Sequence, residues 1–198
     1  MTLINRLPTR TWNRLGVNET ALSWDENGTT EMSPLTVDVT GRKKVVRVEV
    51  NGENEFSRKK VTINAQSETS VTVIEVLSTE NNLAVETELN VKENALVRLI
   101  QVQRSEEKSL VYNKVTSFCD ESGRVELLQV FPGKGDIYSD SLIELTGDKS
   151  SFKSDIGYLG QREQTVDINL VVNHYGKSTE SEINAVSYTH LTLPTNRE

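Results

Sequence analysis

The sequence predicts an all-β chain wound as a parallel β-helix, with a short, partly helical segment at its N-terminus. Three observations carry that expectation. The composition is dominated by β-branched side chains, with 23 Val, 9 Ile and 20 Thr against only 5 Ala in 198 residues. Such side chains are stiff about χ1, suit a pleated surface and disfavour helices. From Leu35 onward apolar and polar residues alternate with period two, as in Val45-Val46-Arg47-Val48-Glu49-Val50, Val71-Thr72-Val73-Ile74-Glu75-Val76 and Leu96-Val97-Arg98-Leu99-Ile100-Gln101-Val102. The chain also repeats itself. Val97, Leu99, Ile100, Gln101 and Val102 recur 28 positions later as Val125, Leu127, Leu128, Gln129 and Val130.

Taken in order, residues 1–34 form a separate segment holding both tryptophans, Trp12 and Trp24, with Pro8 and Pro34. Thr9 to Leu15 suits one or two helical turns capped by Thr9, placing Trp12 and Leu15 on one face. Residues 35–185 carry the alternation, with a turn expected at Asn51-Gly52. Val71, Val73, Ile74 and Val76 precede their counterparts at Val97, Leu99, Ile100 and Val102 by 26. A constant step of 28 then predicts Leu142-Ile143 beside Leu170-Val171, Asp120-Glu121-Ser122-Gly123 beside Asp148-Lys149-Ser150-Ser151, and Gly176-Lys177-Ser178-Thr179 one coil further. Each repeat, with two strands and two polar turns, reads as one coil of a solenoid whose interior is shared with its neighbours. About four or five coils are expected. An antiparallel sandwich or jelly roll also has many short strands, but does not require this self-match.

Residues 186–198, VSYTHLTLPTNRE, change character abruptly. Their reverse translation resembles a transposon end used in sequencing libraries, so they are expected to be a non-native adapter tail. The natural reading frame is then expected to run on past Asn184, with His190 carrying no function.

Charge and cysteine content narrow the function classes. There are 22 basic and 29 acidic residues, a net charge of −7, where a general nucleic-acid or anionic-membrane binder needs a basic surface. A single cysteine excludes an internal disulfide framework and a multi-cysteine zinc site. No run approaches the roughly 18 apolar residues of a membrane span. The N-terminus, MTLINRLPTRTWNRLG, has no apolar signal-peptide core, so a cytoplasmic protein is expected.

Three stretches resemble a known family. Leu7-Pro8-Thr9-Arg10-Thr11-Trp12-Asn13-Arg14-Leu15-Gly16-Val17-Asn18 resembles the opening of SufD-like subunits of the SUF iron–sulfur cluster assembly system. Ala84-Val85-Glu86-Thr87-Glu88-Leu89-Asn90-Val91, continuing to Ile100-Gln101, is similar to the rung sequence shared by SufB and SufD. So is Val171-Val172-Asn173-His174-Tyr175-Gly176-Lys177-Ser178-Thr179-Glu180-Ser181-Glu182-Ile183. The resemblance covers nearly all of residues 3–184. It implies a right-handed β-helix flanked by helical parts, within a scaffold of SufB, SufC and SufD types. In such a scaffold the SufC-type ATPase docks on a helical C-terminal part, and sulfur arrives as persulfide. A SufB-type subunit, or a second copy, is the implied β-helix partner. The resemblance further implies that this chain binds no cofactor itself, the transient Fe–S cluster and ATP belonging to the intact complex. The family's C-x-H-x-A-type rung would lie after Ala185. At Leu77-Ser78-Thr79, near where SufB-type proteins carry a sulfur-accepting cysteine, there is none, which favours the SufD side.

No catalytic residue is expected, and the chain is read as a non-enzymatic scaffold subunit. Alternatives are a generic β-solenoid interaction module or a fragment of a β-helical carbohydrate-active enzyme. The enzyme would need carboxylates or histidines stacked on neighbouring coils, and the aligned positions show no such stack. Cys119 and His174 are the candidate site residues. Acidic Asp120 and Glu121 next to Cys119 oppose thiolate formation. With a step of 28, Cys119 falls opposite Gly147 at a strand end, and His174 falls opposite Thr146 in a polar turn. His174 is the one histidine outside the tail, so neither a Ser-His-Asp triad nor a multi-histidine metal site can be assembled. The loop Pro132-Gly133-Lys134-Gly135-Asp136 lacks P-loop spacing and reads as a turn. Arg42-Lys43-Lys44, Arg58-Lys59-Lys60 and Glu106-Glu107 read as solvated faces or edge protection. Asn18-Glu19-Thr20 and Asn27-Gly28-Thr29 fit a glycosylation pattern that has no meaning without export.

Overall fold

The computed structural model describes residues 2–5, 20–22, 34–42, 44–160 and 163–188. The expected helical turns at Thr9–Leu15, and both tryptophans, lie outside these residues. Among the described residues every element is a strand. A short antiparallel pair, β1 (Thr2–Ile4) and β2 (Thr20–Leu22), precedes twelve strands. These are β3 (Pro34–Val39), β4 (Lys44–Gly52), β5 (Phe56–Ala65), β6 (Ser70–Thr79), β7 (Asn82–Val91), β8 (Leu96–Ser105), β9 (Leu110–Cys119), β10 (Arg124–Phe131), β11 (Asp136–Leu145), β12 (Ser151–Leu159), β13 (Val166–His174) and β14 (Glu180–Tyr188). Odd strands β3 to β13 form one six-stranded sheet and even strands β4 to β14 the other, and every pairing in both is parallel. Successive strands therefore alternate between sheets, and each odd–even pair is one coil of a parallel β-solenoid. The described residues make six coils, from β3/β4 to β13/β14, rather than four or five. β14 includes Val186 to Tyr188, the first three residues of the stretch expected to be a tail.

The expected matches Val71/Val97 and Val97/Val125 are lateral neighbours in the even sheet. The step is not constant, however. Partnered residues are 26, 28, 27 and 29 apart at successive places along the stack. Leu142 consequently lies beside Val171 and Ile143 beside Val172, one residue from the expected match. Cys119 lies beside Leu145, not Gly147, and His174 also lies beside Leu145, not Thr146. The cause is local. At the turn after β11, both Thr146 and Gly147 donate their N–H groups to the Cys119 carbonyl (3.1 and 2.9 Å), absorbing an extra residue. Tyr175 and Gly176 do the same to the Leu145 carbonyl, both at 3.0 Å. Asn51-Gly52 is likewise not a turn but the end of β4. There Gly52 runs against Thr79 so closely that a Cβ would meet Thr79 Cβ at 3.0 Å.

Polar turns stack as tightly as the strands. One residue in each of the five stacked turns that follow β5, β7, β9, β11 and β13, namely Glu68, Asn94, Ser122, Lys149 and Ser178, has φ between 54° and 62°. That backbone points its N–H along the stack. Glu68 donates to the Glu93 carbonyl (3.0 Å), Asn94 to Glu121 (3.0 Å), Ser122 to Asp148 (2.8 Å) and Lys149 to Lys177 (2.8 Å). Thr69, Ser109 and Ser150 close their turns through the hydroxyl, donating to the carbonyl three residues back at 2.6, 2.7 and 2.7 Å.

Alternation puts one face of each strand inside. Val73, Leu99 and Leu127 form one ladder, and Ile63 and Leu89 another. All five are essentially inaccessible to solvent. On the outside, the β1–β2 pair is too short to be stable alone. It is held by Ile4, buried among Ala84, Tyr112, Phe56, Leu110 and Tyr138, and by Thr20 donating to the Asp167 carboxylate (2.7 Å).

Because the interior ladder carries the stability, Leu89→Ala should cost about 2–5 kcal/mol in urea unfolding. Leu35→Ala, at an exposed position of the first coil, should stay within about 0.5 kcal/mol. Equal losses at the two sites would contradict a shared interior.

Candidate functional site

Cys119 ends β9 and points inward between Val91 and Leu145 of the neighbouring coils. It is fully buried, and its thiol is pushed up to about 11, chiefly by that burial. The Ser117 hydroxyl, 3.5 Å from the sulfur, works against this rise, and Asp120 adds to it. A thiol so placed stays protonated at neutral pH and is a poor nucleophile. His174 ends β13 on the same ladder, two coils along, with Leu145 between it and Cys119. At about 4.8 Å per coil the two backbones stand roughly 10 Å apart. The fold aligns Cys119 and His174 without joining them. His174 is exposed, and its ring bridges the last turn, with Nδ1 at 2.8 Å from Thr179 Oγ1 and Nε2 at 3.1 Å from Ser181 Oγ.

Several of the other sequence candidates have structural partners. Lys134 N and Gly135 N donate to Ser105 O (2.8 Å) and Ser105 Oγ (3.2 Å), and Asp136 N donates to Ser109 O (2.8 Å). Those amides hold the preceding coil and cannot cradle a phosphate. The depression beside them, about 430 Å³, mixes Glu107, Asp136 and Glu163 with Lys108 and Lys134. Arg42 pairs with Glu68 (3.1 Å) and Lys60 with Glu88 (3.2 Å), surface pairs of little energetic weight. Among the described residues no three His, Cys, Asp or Glu side chains converge to hold a metal ion, and no helix is long and apolar enough to cross a membrane.

The notable chemistry lies inside the coils. One inward ladder of the even sheet runs Val48, Glu75, Gln101, Gln129, Ile156. Its three polar members are completely buried. Gln129 Nε2 donates to Gln101 Oε1 (2.8 Å), and Gln101 Nε2 donates in turn to the Glu75 carboxyl. The odd sheet braces this file: Asn113 Nδ2 donates to Gln101 Oε1 (2.8 Å), and Thr87 Oγ1 donates to Glu75 Oε1 (3.1 Å). The amide hydrogens of the ladder thus point down the stack onto one acid. Burial raises the Glu75 pKa, while the hydrogen bonds from Gln101 and Thr87 oppose the rise. No cation is among its hydrogen-bond partners, and neutral donors offset only part of the desolvation of a carboxylate. The arrangement can store a proton and lock the register of the coils. It offers no nucleophile.

The repeat already contained this ladder: Gln101 and Gln129 fall 28 apart in the self-match, and Glu75 precedes Gln101 by 26. The overlooked signal was polarity at an inward position, since each of the three stands two residues after an inward Val or Leu.

In the unfolded chain Glu75 ionises near its ordinary 4.5, and in the fold at higher pH. Its stabilising balance is thus complete below about 4.5 and is lost as pH rises through the raised folded value. Glu75→Gln should gain stability over wild type across that rise, by up to about 1.4 kcal/mol per pH unit in denaturation midpoints compared between pH 4 and 8. A difference independent of pH would refute it.

A family model described as "SUF system FeS cluster assembly, SufBD core domain" matches residues 48–188. No curated protein and no solved structure matches the chain.

Proposed function

The chain belongs to the SufBD core family of the SUF iron–sulfur cluster assembly system, and from that premise we propose that it is a SufD-like, non-catalytic scaffold subunit working in the cytoplasm. Its partners on this reading are a SufB-type β-helix subunit, or a second copy, and a SufC-type ATPase. The observation that carries the proposal is the family match across 48–188, a span that takes in five complete coils and only the second half of β4 from the first. Participation in SUF cluster assembly follows from the family, and the non-catalytic role is argued from the residues.

Two features support the scaffold reading. Leu77, Ser78 and Thr79, where a SufB-type sulfur acceptor is expected nearby, hold no thiol, and Cys119 is buried with a raised pKa. The outer face of the even sheet offers rows suited to partner contact. Ile74, Ile100 and Leu128 form one aliphatic row, and Val76, Val102 and Val130 another. Leu128 and Val130 remain exposed. A charged row beside them pairs Arg98 with Glu126 and Lys153 with Glu182. Apolar rows edged by charge are common at protein interfaces. The cluster itself is cargo of the assembled complex, built on partner residues, and ATP is handled by the SufC-type subunit.

Co-expression with the SufB-type and SufC-type subunits of the source organism tests this directly. The chain should co-elute with them as one complex, and Cys119→Ser should leave cluster delivery by that complex unchanged within about twofold. Elution of the chain alone in every combination, or loss of delivery in Cys119→Ser with the complex intact, would overturn the scaffold role.

A further inference from the structure

The hydrogen-bond file that ends on Glu75 begins at Gln129, and its beginning is unfinished. Gln129 Nε2 is used twice, toward Gln101 Oε1 (2.8 Å) and Ser139 Oγ (3.3 Å), but Gln129 Oε1 has no donor. Two further buried atoms, Ser141 Oγ and Ser154 Oγ, are also without partners. All three residues are at most 1% exposed. Register brings them to one region. Ser139, which meets Gln129 across the coil, stands two residues before Ser141 on the same inward face of β11. Ser154 is the next-coil neighbour of Leu127, which stands two residues before Gln129 on the inward face of β10.

Side-chain size points the same way. Ser154 sits in its ladder between Leu127 and Ile183, and Ser141 between Val115 and Leu170. A serine is two heavy atoms shorter than leucine or isoleucine and one shorter than valine. In a stack whose strand spacing is fixed by backbone hydrogen bonds, the neighbours can make up only part of that difference. Small volume and unpaired polar atoms together define a site for a small hydrogen-bonding molecule. No charged side chain belongs to the cluster, so the occupant is neutral.

We propose that Gln129, Ser141 and Ser154 form an internal hydration site between the fourth and fifth coils, holding about one or two ordered waters. Water donates to Gln129 Oε1 and exchanges hydrogen bonds with the two hydroxyls, so that the polar file running to Glu75 starts on bound solvent. The site is independent of the scaffold reading.

A crystal structure of the full chain at a resolution that shows solvent, with oxygen-17 relaxation dispersion in solution, tests this. Density is expected within hydrogen-bonding distance of Gln129 Oε1 and at least one of the serine hydroxyls. Ser141→Val with Ser154→Val should remove about one or two long-lived waters from the dispersion amplitude, with the strand circular dichroism retained. Wild-type density showing the three groups satisfied by protein atoms alone would overturn the proposal, whether or not the double variant folds. So would an unchanged dispersion amplitude in the folded variant.

Discussion

The constraint on which this molecule depends is lateral register between parallel coils. A strand in the middle of either sheet has a copy of itself on both sides, about 4.8 Å away. Every inward side chain must therefore be acceptable to two neighbours of the same orientation. That condition selects β-branched and leucine side chains in ladders, because their stiff, similar shapes nest without changing the spacing. A slip of one residue would turn a whole ladder from core to solvent. The register is fixed three times over, by backbone hydrogen bonds, by the apolar ladders and by the turn column of Glu68, Asn94, Ser122 and Lys149.

The polar file inside the stack is a fourth device of the same kind. An unpaired buried amide or carboxyl is costly, so Glu75, Gln101 and Gln129 are tolerable only when each lies beside the next. A mismatched coil would leave those groups orphaned, which makes the file an enforcer of alignment as well as a burden on stability. The acid at its end raises that burden as it ionises, since its hydrogen-bond partners are neutral. The same interior shields Cys119, the single thiol, between the coils on either side.

Much of this was legible in the sequence, and the failures have a common cause. Val71, Val97 and Val125 announced both the stacking and its direction, because a self-match at nearly fixed separation has a physical meaning only if the copies lie side by side. The same assumption of fixed separation misplaced Cys119, His174 and Leu142. Strands keep step, but turns add or drop residues: two are lost at Pro132–Gly135, and one is added at Thr146-Gly147 and at Tyr175-Gly176, where paired N–H groups converge on one carbonyl. Asn51-Gly52 read as a turn by residue type, yet Gly52 is present for close approach to Thr79 rather than for chain reversal. Even the number of coils was short, because the early steps of 26 and 27 fit more coils into the same length than a constant 28 does. Gln101 and Gln129 served to measure the period, whereas their meaning, and that of Glu75 ahead of them, lay in polar side chains at an inward position.

The most direct test of the shared-register account is a disulfide placed across one coil spacing. In a Cys119→Ser background, Thr62→Cys with Glu88→Cys joins two lateral partners of the odd sheet. Their backbones, at about 4.8 Å, lie within disulfide range. Thr62→Cys with Glu86→Cys is two residues out of register, about 8 Å apart, and outside that range. Mild oxidation followed by alkylation and intact-mass measurement should give a near-complete intramolecular disulfide in the first pair and little in the second. Equal crosslinking of both pairs, or preference for the second, would contradict stacked parallel coils.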